Sequence, residues 1–470
     1  MSFKKQFFRN VFVSGGYSFL AQFVNFLSSL ITARLLLPAD FGLVGLITVF
    51  SNFISVFTDS GISYAIIRSN YKDTYYRGLH ASSILLGSAL CLLFIILIFP
   101  ISFFYRNTSL VLPGIAISAL FIVRAFNVVP TALLQKKLQF ALAGKAIFWG
   151  ASAGAISTIA LAYTGFGYWS LIWSQFINAF VTALIVYKAS PLKSFKIRKA
   201  VVVKSFLLAR TLIGSIAGFN TITYWSRNAD NLTVGKFYGT SDLGVYNRAY
   251  LMLTLPLTLI TGIFSSVMYP SLIKLKNEGG NVEEEYYFML KIISLINIPI
   301  ALILIIFPQQ FVFILWGKNW IQVANLLPYF GLLAMTQTLL STLGSIMIIE
   351  KLEKSLMYTG WIGSALLVAG IIYGATISIT AIAAFYALSY IILVVPFNIF
   401  YVMLYKLKYN SKIYFWLPKI CLSILIWAGI YFSLPYLVYS SLLLWIFVIV
   451  WDSKNEIKKM MNLVVARRFA

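Results

Sequence analysis

The chain has 470 residues, 60 % of them hydrophobic and 11 % charged, with a formal net charge of +24. A water-soluble domain of this length needs far more charged surface, so a soluble enzyme or binding module is excluded. The positive charge alone would suggest a nucleic-acid partner, but its distribution along the chain excludes that too.

Apolar runs of roughly 20 residues, each long enough to cross a bilayer, recur from end to end. They predict an all-α polytopic membrane protein with about 14 transmembrane helices, at 11–36, 41–66, 79–104, 112–134, 146–164, 168–187, 205–235, 245–270, 291–307, 323–349, 357–376, 379–403, 414–433 and 436–451. Lys4, Lys5 and Arg9 precede the first run, which exceeds a signal-peptide core and lacks a small-x-small cleavage site, so it reads as an uncleaved helix. Most of the 37 Lys and Arg residues then fall on the side of the N-terminus, among them Arg68, Lys72, Arg77, Lys136, Lys137, Lys145, the run from Lys188 to Lys204, and Lys406 to Lys419. That bias places both termini in the cytoplasm, with the protein in a bacterial cytoplasmic (inner) membrane. The basic residues then meet anionic membrane lipids, and no nucleic acid. The tail after Asp452 reads either as an amphipathic helix on the inner leaflet or as a solvated, frayed end.

A repeat divides the chain. Arg34-Leu-Leu-Leu-Pro-Ala-Asp-Phe-Gly42 returns 202 residues later as Lys236-Phe-Tyr-Gly-Thr-Ser-Asp-Leu-Gly244. Each copy joins the first helix of a half to the second, with six helices between copies, so the halves run in the same orientation. This predicts two pseudo-symmetric six-helix lobes, 1–200 and 201–410, followed by a helix pair at 411–452 and a tail at 453–470. Parallel repeats of this kind build transporters with the substrate cavity between lobes. Pro38 or Gly239 ends a helix, Asp40 or Asp242 caps the next, and Gly42 or Gly244 permits close helix approach, so these four acids and glycines read as structural.

Ionisable residues at bilayer depth are costly and mark a pathway or a pair. Arg124 lies about 16 Å from either end of the fourth predicted helix at about 1.5 Å per residue. That is too far to snorkel, so it faces a wet cavity, a carboxylate or an anionic ligand. Arg34, Lys236 and Arg248 gather near the external ends of the first, seventh and eighth helices. They read either as a cationic cavity wall or as cations snorkelling to the surface. Arg227 and Asp230 share a face of the seventh helix, either as an anion-binding pair released by protonation or as a structural salt bridge. Asp59, beside Ser60 and Gly61, is either a coupling or gating acid or the partner of a bend. The cations outnumber the acids in this set, which favours an anionic substrate carrying phosphate, diphosphate or acidic sugars.

Other chemistry is missing. There is no phosphate-binding G-x-x-x-x-G-K-[ST] loop, no H-E-x-x-H and no metal-ligand cysteine cluster, so neither metal nor cofactor is expected. Cys91 and Cys421 lie in apolar runs and read as small core residues. His80 is the single histidine, too few for a metal site. The external segment Pro308 to Gln322, with Trp316 and Trp320, reads as interfacial, its indoles at headgroup level.

Several of these segments carry a resemblance: Ala33 to Gly42, Asp59-Ser-Gly-Ile62, Asn228-Ala-Asp-Asn231, Gly235-Lys-Phe-Tyr-Gly239, Leu243-Gly-Val-Tyr246 and Leu315-Trp-Gly-Lys-Asn-Trp320. They resemble polysaccharide and O-antigen flippases, which transport lipid-linked oligosaccharides within the multidrug/oligosaccharidyl-lipid/polysaccharide exporter superfamily. The resemblance implies two lobes around a cationic cavity, alternating access, and an undecaprenyl-diphosphate-linked oligosaccharide as substrate. The last two helices would then line a groove for the lipid tail. The function implied is a transporter, not an enzyme, for lipopolysaccharide, exopolysaccharide or capsule synthesis, with polysaccharide polymerase machinery as a further partner. A drug or metabolite antiporter of the same superfamily is the alternative. A membrane polymerase or ligase is a third reading, against which the short external loops argue. In such flippases cavity arginines lie on the first, second, seventh and eighth helices, and this chain has no basic residue within the second.

Overall fold

A computed structural model describes residues 3–59, 62–68, 73–137, 139–190, 192, 199–263, 269–409 and 413–454. Some helical residues within these, Asp59 and Arg227 among them, are described by backbone alone. All regular structure among the described residues is helical. The solvent is the reason: lipid offers no partner for backbone N–H and C=O groups, so each segment satisfies its own. Among the described residues eleven helices are long and apolar enough to cross a membrane, and they fall on the second to sixth and the ninth to fourteenth predicted spans. The other three predicted spans fall on Phe3–Leu35 (α1) and Lys199–Ile263 (α9), both helical but partly described by backbone alone.

The chain divides into two compact units, Met1–Gly244 and Val245–Ala470. In the first, α1 packs on Phe140–Tyr163 (α7), which packs on Tyr168–Ala189 (α8). The α7–α8 seam is a small-residue interface. A Cβ on Gly150 would stand 2.1 Å from Thr182 Oγ1, and one on Gly154 would stand 3.0 Å from the Ser174 carbonyl. Gly150 and Gly154 form a G-x-x-x-G pair, the spacing that lets two helices touch along one face. On the second predicted span the described helices are Pro38–Asp59 (α2) and Ile62–Arg68 (α3). Asp73–Tyr105 (α4) packs on Leu120–Lys136 (α6), which comes after the short Val111–Ser118 (α5). Inside α4, His80 is buried and its Nε2 donates to the Phe126 carbonyl at 3.1 Å, a structural bond between helices.

In α9 the helix is interrupted at Gly239, whose φ of 85° and ψ of −170° suit glycine and almost nothing else. A short helix, Tyr269–Asn277 (α10), is the next described element along the chain. Val282–Ile306 (α11) starts with Asn281 accepting the Glu284 N–H at 3.2 Å, and Glu283, Glu284 and Glu285 sit in its first turn where the helix dipole favours acids. Pro308–Trp316 (α12) ends at Gly317, φ 84°, before a 3₁₀ segment Lys318–Asn325. Leu327–Ser341 (α13) and Leu343–Ile349 (α14) form the most buried span of this unit.

Glu353–Ala375 (α15) and Ile379–Ser389 (α16) repeat the small-residue seam. A Cβ on Gly370 would meet Ser389 Oγ at 2.1 Å, and one on Gly374 the Ala381 carbonyl at 2.6 Å. Gly370 and Gly374 are again a G-x-x-x-G pair, on the eleventh predicted span as Gly150 and Gly154 are on the fifth. Wide π-helical turns, Tyr390–Val394 and Ile399–Lys406, flank Val395–Asn398 (α17), where Pro396 withholds an N–H. Ile413–Tyr431 (α18) and Pro435–Asp452 (α19) close the described chain as a hairpin. Its open end is tied by Lys419 Nζ and Asp452 Oδ2 at 2.5 Å, the Lys419 side chain being 4 % exposed. Cys91 is buried as its apolar surroundings predict, whereas Cys421 points outward from α18; an apolar run marks a helix without saying which of its faces meets protein.

Candidate functional site

Arg124 sits within α6, between two buried neighbours, Phe121 and Ala125. Its Nη1 donates to Ser55 Oγ at 2.7 Å and reaches Asn52 Oδ1 at the outer limit of a hydrogen bond, 3.5 Å. Ser55 and Asn52 lie one turn apart on α2, so one face of that helix holds one edge of the guanidinium. Among the described residues it pairs with no carboxylate. Arg124 lines a cavity of about 430 Å³ together with Thr58, Ser63, Asn127, Thr131 and Gln135, with Ile67 and Val128 as its apolar part. Thus the one charge that cannot snorkel does face a cavity, and the remaining polar groups there are neutral. Asn127 Nδ2 donates to the Ala179 carbonyl at 3.3 Å, while its Oδ1 is buried and accepts no hydrogen bond among the described residues.

The two copies of the repeat meet. A Cβ on Gly42 would stand 1.6 Å from the Thr240 carbonyl oxygen and 3.0 Å from Gly244 N. A Cβ on Gly244 would stand 2.0 Å from the Pro38 carbonyl oxygen and 3.2 Å from Gly42 N. Pro38 and Thr240 are themselves equivalent under the 202-residue offset, so the contact is reciprocal, as around a two-fold axis. Asp40 Oδ2 accepts the Leu37 N–H at 3.0 Å, the return half of a capping box at the start of α2. Asp242 lies between two predicted spans, where partial burial raises its carboxyl pKa.

The other named cations each have their own local surroundings. Arg34 is exposed in the last turn of α1, a favourable place for a cation beside the helix C-terminus. Lys236 is exposed and lies over the Phe104 ring, Nζ 4.0 Å from its centroid, while donating to the Phe104 carbonyl. Arg248, in the second unit, is 5 % exposed and enclosed by indoles, 5.9 Å from the Trp316 ring and 5.0 Å from that of Trp320. These tryptophans are fully buried in the protein. The turn at Gly317 separates them, and cation–π attraction to Arg248 gives them an inward partner. Asp230 is buried and accepts the Asn231 N–H at 2.8 Å. The side chains of Asp59 and Arg227 lie outside the described residues, as does the tail from 455.

Sequence reasoning missed an aromatic seam between α2 and α9. Phe53 lies 4.7 Å from Trp225 and 5.7 Å from Tyr224, Phe50 lies 5.9 Å from Trp225, and Tyr224 Oη donates to the Val49 carbonyl. The signal was the spacing of Phe50, Phe53 and Phe57 on one helix face, easily lost among 39 phenylalanines.

Residues 31–325 match the family described as polysaccharide biosynthesis protein. The teichuronic acid biosynthesis protein TuaB of Bacillus subtilis (strain 168) is 25 % identical over 386 residues, covering 77 % of this chain and 75 % of that one. The lipopolysaccharide biosynthesis protein WzxC of Escherichia coli (strain K12) is 23 % identical over 329 residues, covering 67 % and 64 %. Among solved structures, the lipid II flippase MurJ in an inward closed conformation shares the fold at a TM-score of 0.69 and 16 % identity, over 96 % of this chain and all of that one. An inward-facing multidrug resistance MATE family transporter does so at 0.57 and 15 %, over 82 % of this chain and 96 % of the other.

Proposed function

The chain belongs to the polysaccharide biosynthesis protein family, and from that premise we propose that it is a flippase for lipid-linked oligosaccharides. It moves undecaprenyl-diphosphate-linked repeat units across the membrane for surface polysaccharide synthesis. The observation that carries this reading is Arg124, a cation set deep in an apolar helix and facing a cavity with neutral hydrogen-bonding walls. A drug antiporter for cations would place acids there.

In this reading the protein lies in a bacterial cytoplasmic membrane with both termini inside, as the basic loops favour. The lobes 1–200 and 201–410 alternate access. The glycan passes through a polar interior while the prenyl chain stays in lipid, guided by the helix pair 411–452. Arg124 is the inner cation, and Arg34, Arg227 and Lys236 extend the cationic path. Arg248 reaches substrate only when the wall of Trp316 and Trp320 opens. Asp59 and Asp230 are the acids available for coupling or gating. Polysaccharide polymerase machinery receives the product on the outer face.

The test is deletion of the gene, then mass analysis of undecaprenyl-linked glycans with their leaflet assigned by an impermeant probe. Completed units trapped on the inner leaflet are expected. Normal pools with intact surface polysaccharide would favour the antiporter, and units accumulating on the outer leaflet a polymerase or ligase.

A further inference from the structure

We infer that the Arg124 cavity is a subsite for a sugar carboxylate, so that the glycan carried is acidic and the lipid diphosphate is held elsewhere; this deepens the flippase reading and rests on it. Three features of the cavity carry the inference.

The first is charge. Arg124 is the one charged side chain among the described residues lining the cavity. One guanidinium neutralises one carboxylate. A diphosphate linking lipid to sugar brings two negative charges, and one would stay uncompensated where water is partly excluded, at a high cost.

The second is the direction of the hydrogen bonds. Nη1 is engaged by Ser55 and Asn52, which fix the plane of the guanidinium. Among the described residues it donates to nothing else, so the edge formed by Nε and Nη2 is left for a ligand. Those two parallel donors match the two oxygens of a carboxylate.

The third is the neutral wall. The buried Asn127 Oδ1 lacks a donor. Diphosphate oxygens only accept and would satisfy neither that carbonyl nor Thr58 Oγ1, whose own proton goes to the Ser55 carbonyl at 2.7 Å, whereas a sugar hydroxyl can donate to such an acceptor and accept from Thr131. The volume, about 430 Å³, lies within the range of small-ligand pockets.

The experiment uses the full-length protein in detergent micelles, titrated with methyl glucuronide, methyl glucoside or inorganic pyrophosphate, with the shift in thermal midpoint and calorimetric affinity as readouts. Methyl glucuronide is expected to bind and stabilise, with methyl glucoside and pyrophosphate at least tenfold weaker. Arg124→Gln is expected to weaken glucuronide binding by about tenfold or more, and Asn127→Ala by about three- to tenfold. The Asn127 variant keeps the charge and serves if Arg124→Gln does not give monodisperse protein. Equal affinity for glucoside and glucuronide, Arg124-dependent binding of pyrophosphate in place of glucuronide, or no binding of any probe would each overturn the subsite. The flippase reading fails by a different measurement, the leaflet assignment in the deletion strain, in which none of these probes appears.

Discussion

Gly42 and Gly244 stand face to face, each occupying the space where the other's side chain would be: an added Cβ on Gly42 would lie 3.0 Å from Gly244 N, and one on Gly244 would lie 3.2 Å from Gly42 N. The nearest obstacles, the Thr240 and Pro38 carbonyls, are backbone and cannot rotate away. Gly42→Ala and Gly244→Ala are each expected to lower stability by about 1–3 kcal/mol, the usual cost of overpacking. Thermal unfolding in detergent measures this. An unchanged midpoint in either variant would show that the two copies move apart freely.

Arg124→Ala is expected to abolish transport while the protein still reaches the membrane, since Asn52 is exposed and Ser55 only half-buried, so neither is left as a buried orphan. Arg124→Lys keeps the charge but not the planar fork, so it should retain only part of the activity. The leaflet distribution of lipid-linked glycan, normalised to membrane protein by immunoblot, checks both. Full activity of Arg124→Ala would remove this residue from the mechanism.

Lys419 and Asp452 form a largely buried ion pair between α18 and α19. Lys419→Met leaves Asp452 partly buried beside an apolar group and is expected to cost about 3 kcal/mol. The double substitution Lys419→Met with Asp452→Leu should recover most of that loss. By contrast, Lys276 and Glu350 pair at 2.8 Å with the Lys276 side chain 41 % exposed, and Lys276→Gln should change stability by no more than about 1 kcal/mol. Urea unfolding of the four proteins in mixed micelles separates the two cases.

The α15–α16 seam offers a compensation test. Gly370→Ala places a methyl against Ser389 Oγ, and the single substitution is expected to lower the thermal midpoint. Adding Ser389→Gly removes the hydroxyl and should restore part of it, with the Phe385 carbonyl 2.9 Å away as the remaining obstacle. If the double variant is as unstable as the sum of the singles, the seam is not set by that contact.

Helices were legible because lipid demands long apolar runs, and their breaks were not. Ala119 separates α5 from α6 inside a run that hydropathy reads as unbroken, and the π turns around Pro396 change hydrogen-bond register without changing composition. Arg124 stood out because a lone cation in an apolar run needs a reason. Its partners Asn52 and Ser55, about seventy residues away, did not, since nothing local marks one polar residue on α2 over another. The reciprocal glycines were visible as a repeat, but only packing shows that the copies touch. Nor does the sequence show that the tryptophans near Gly317 close on Arg248, because an indole suits a membrane interface and a buried cation equally well.

The bond between Lys419 and Asp452 also bears on how the chain is made. The two residues are 33 positions apart, so Lys419 is synthesised well before its acid exists. Until α19 arrives, Lys419, about two turns into α18, has no carboxylate beside it and its ammonium must reach back to the headgroups. Once α19 is in place, the charges cancel. The order of synthesis therefore makes the hairpin the smallest piece of this chain in which that lysine has its counter-ion.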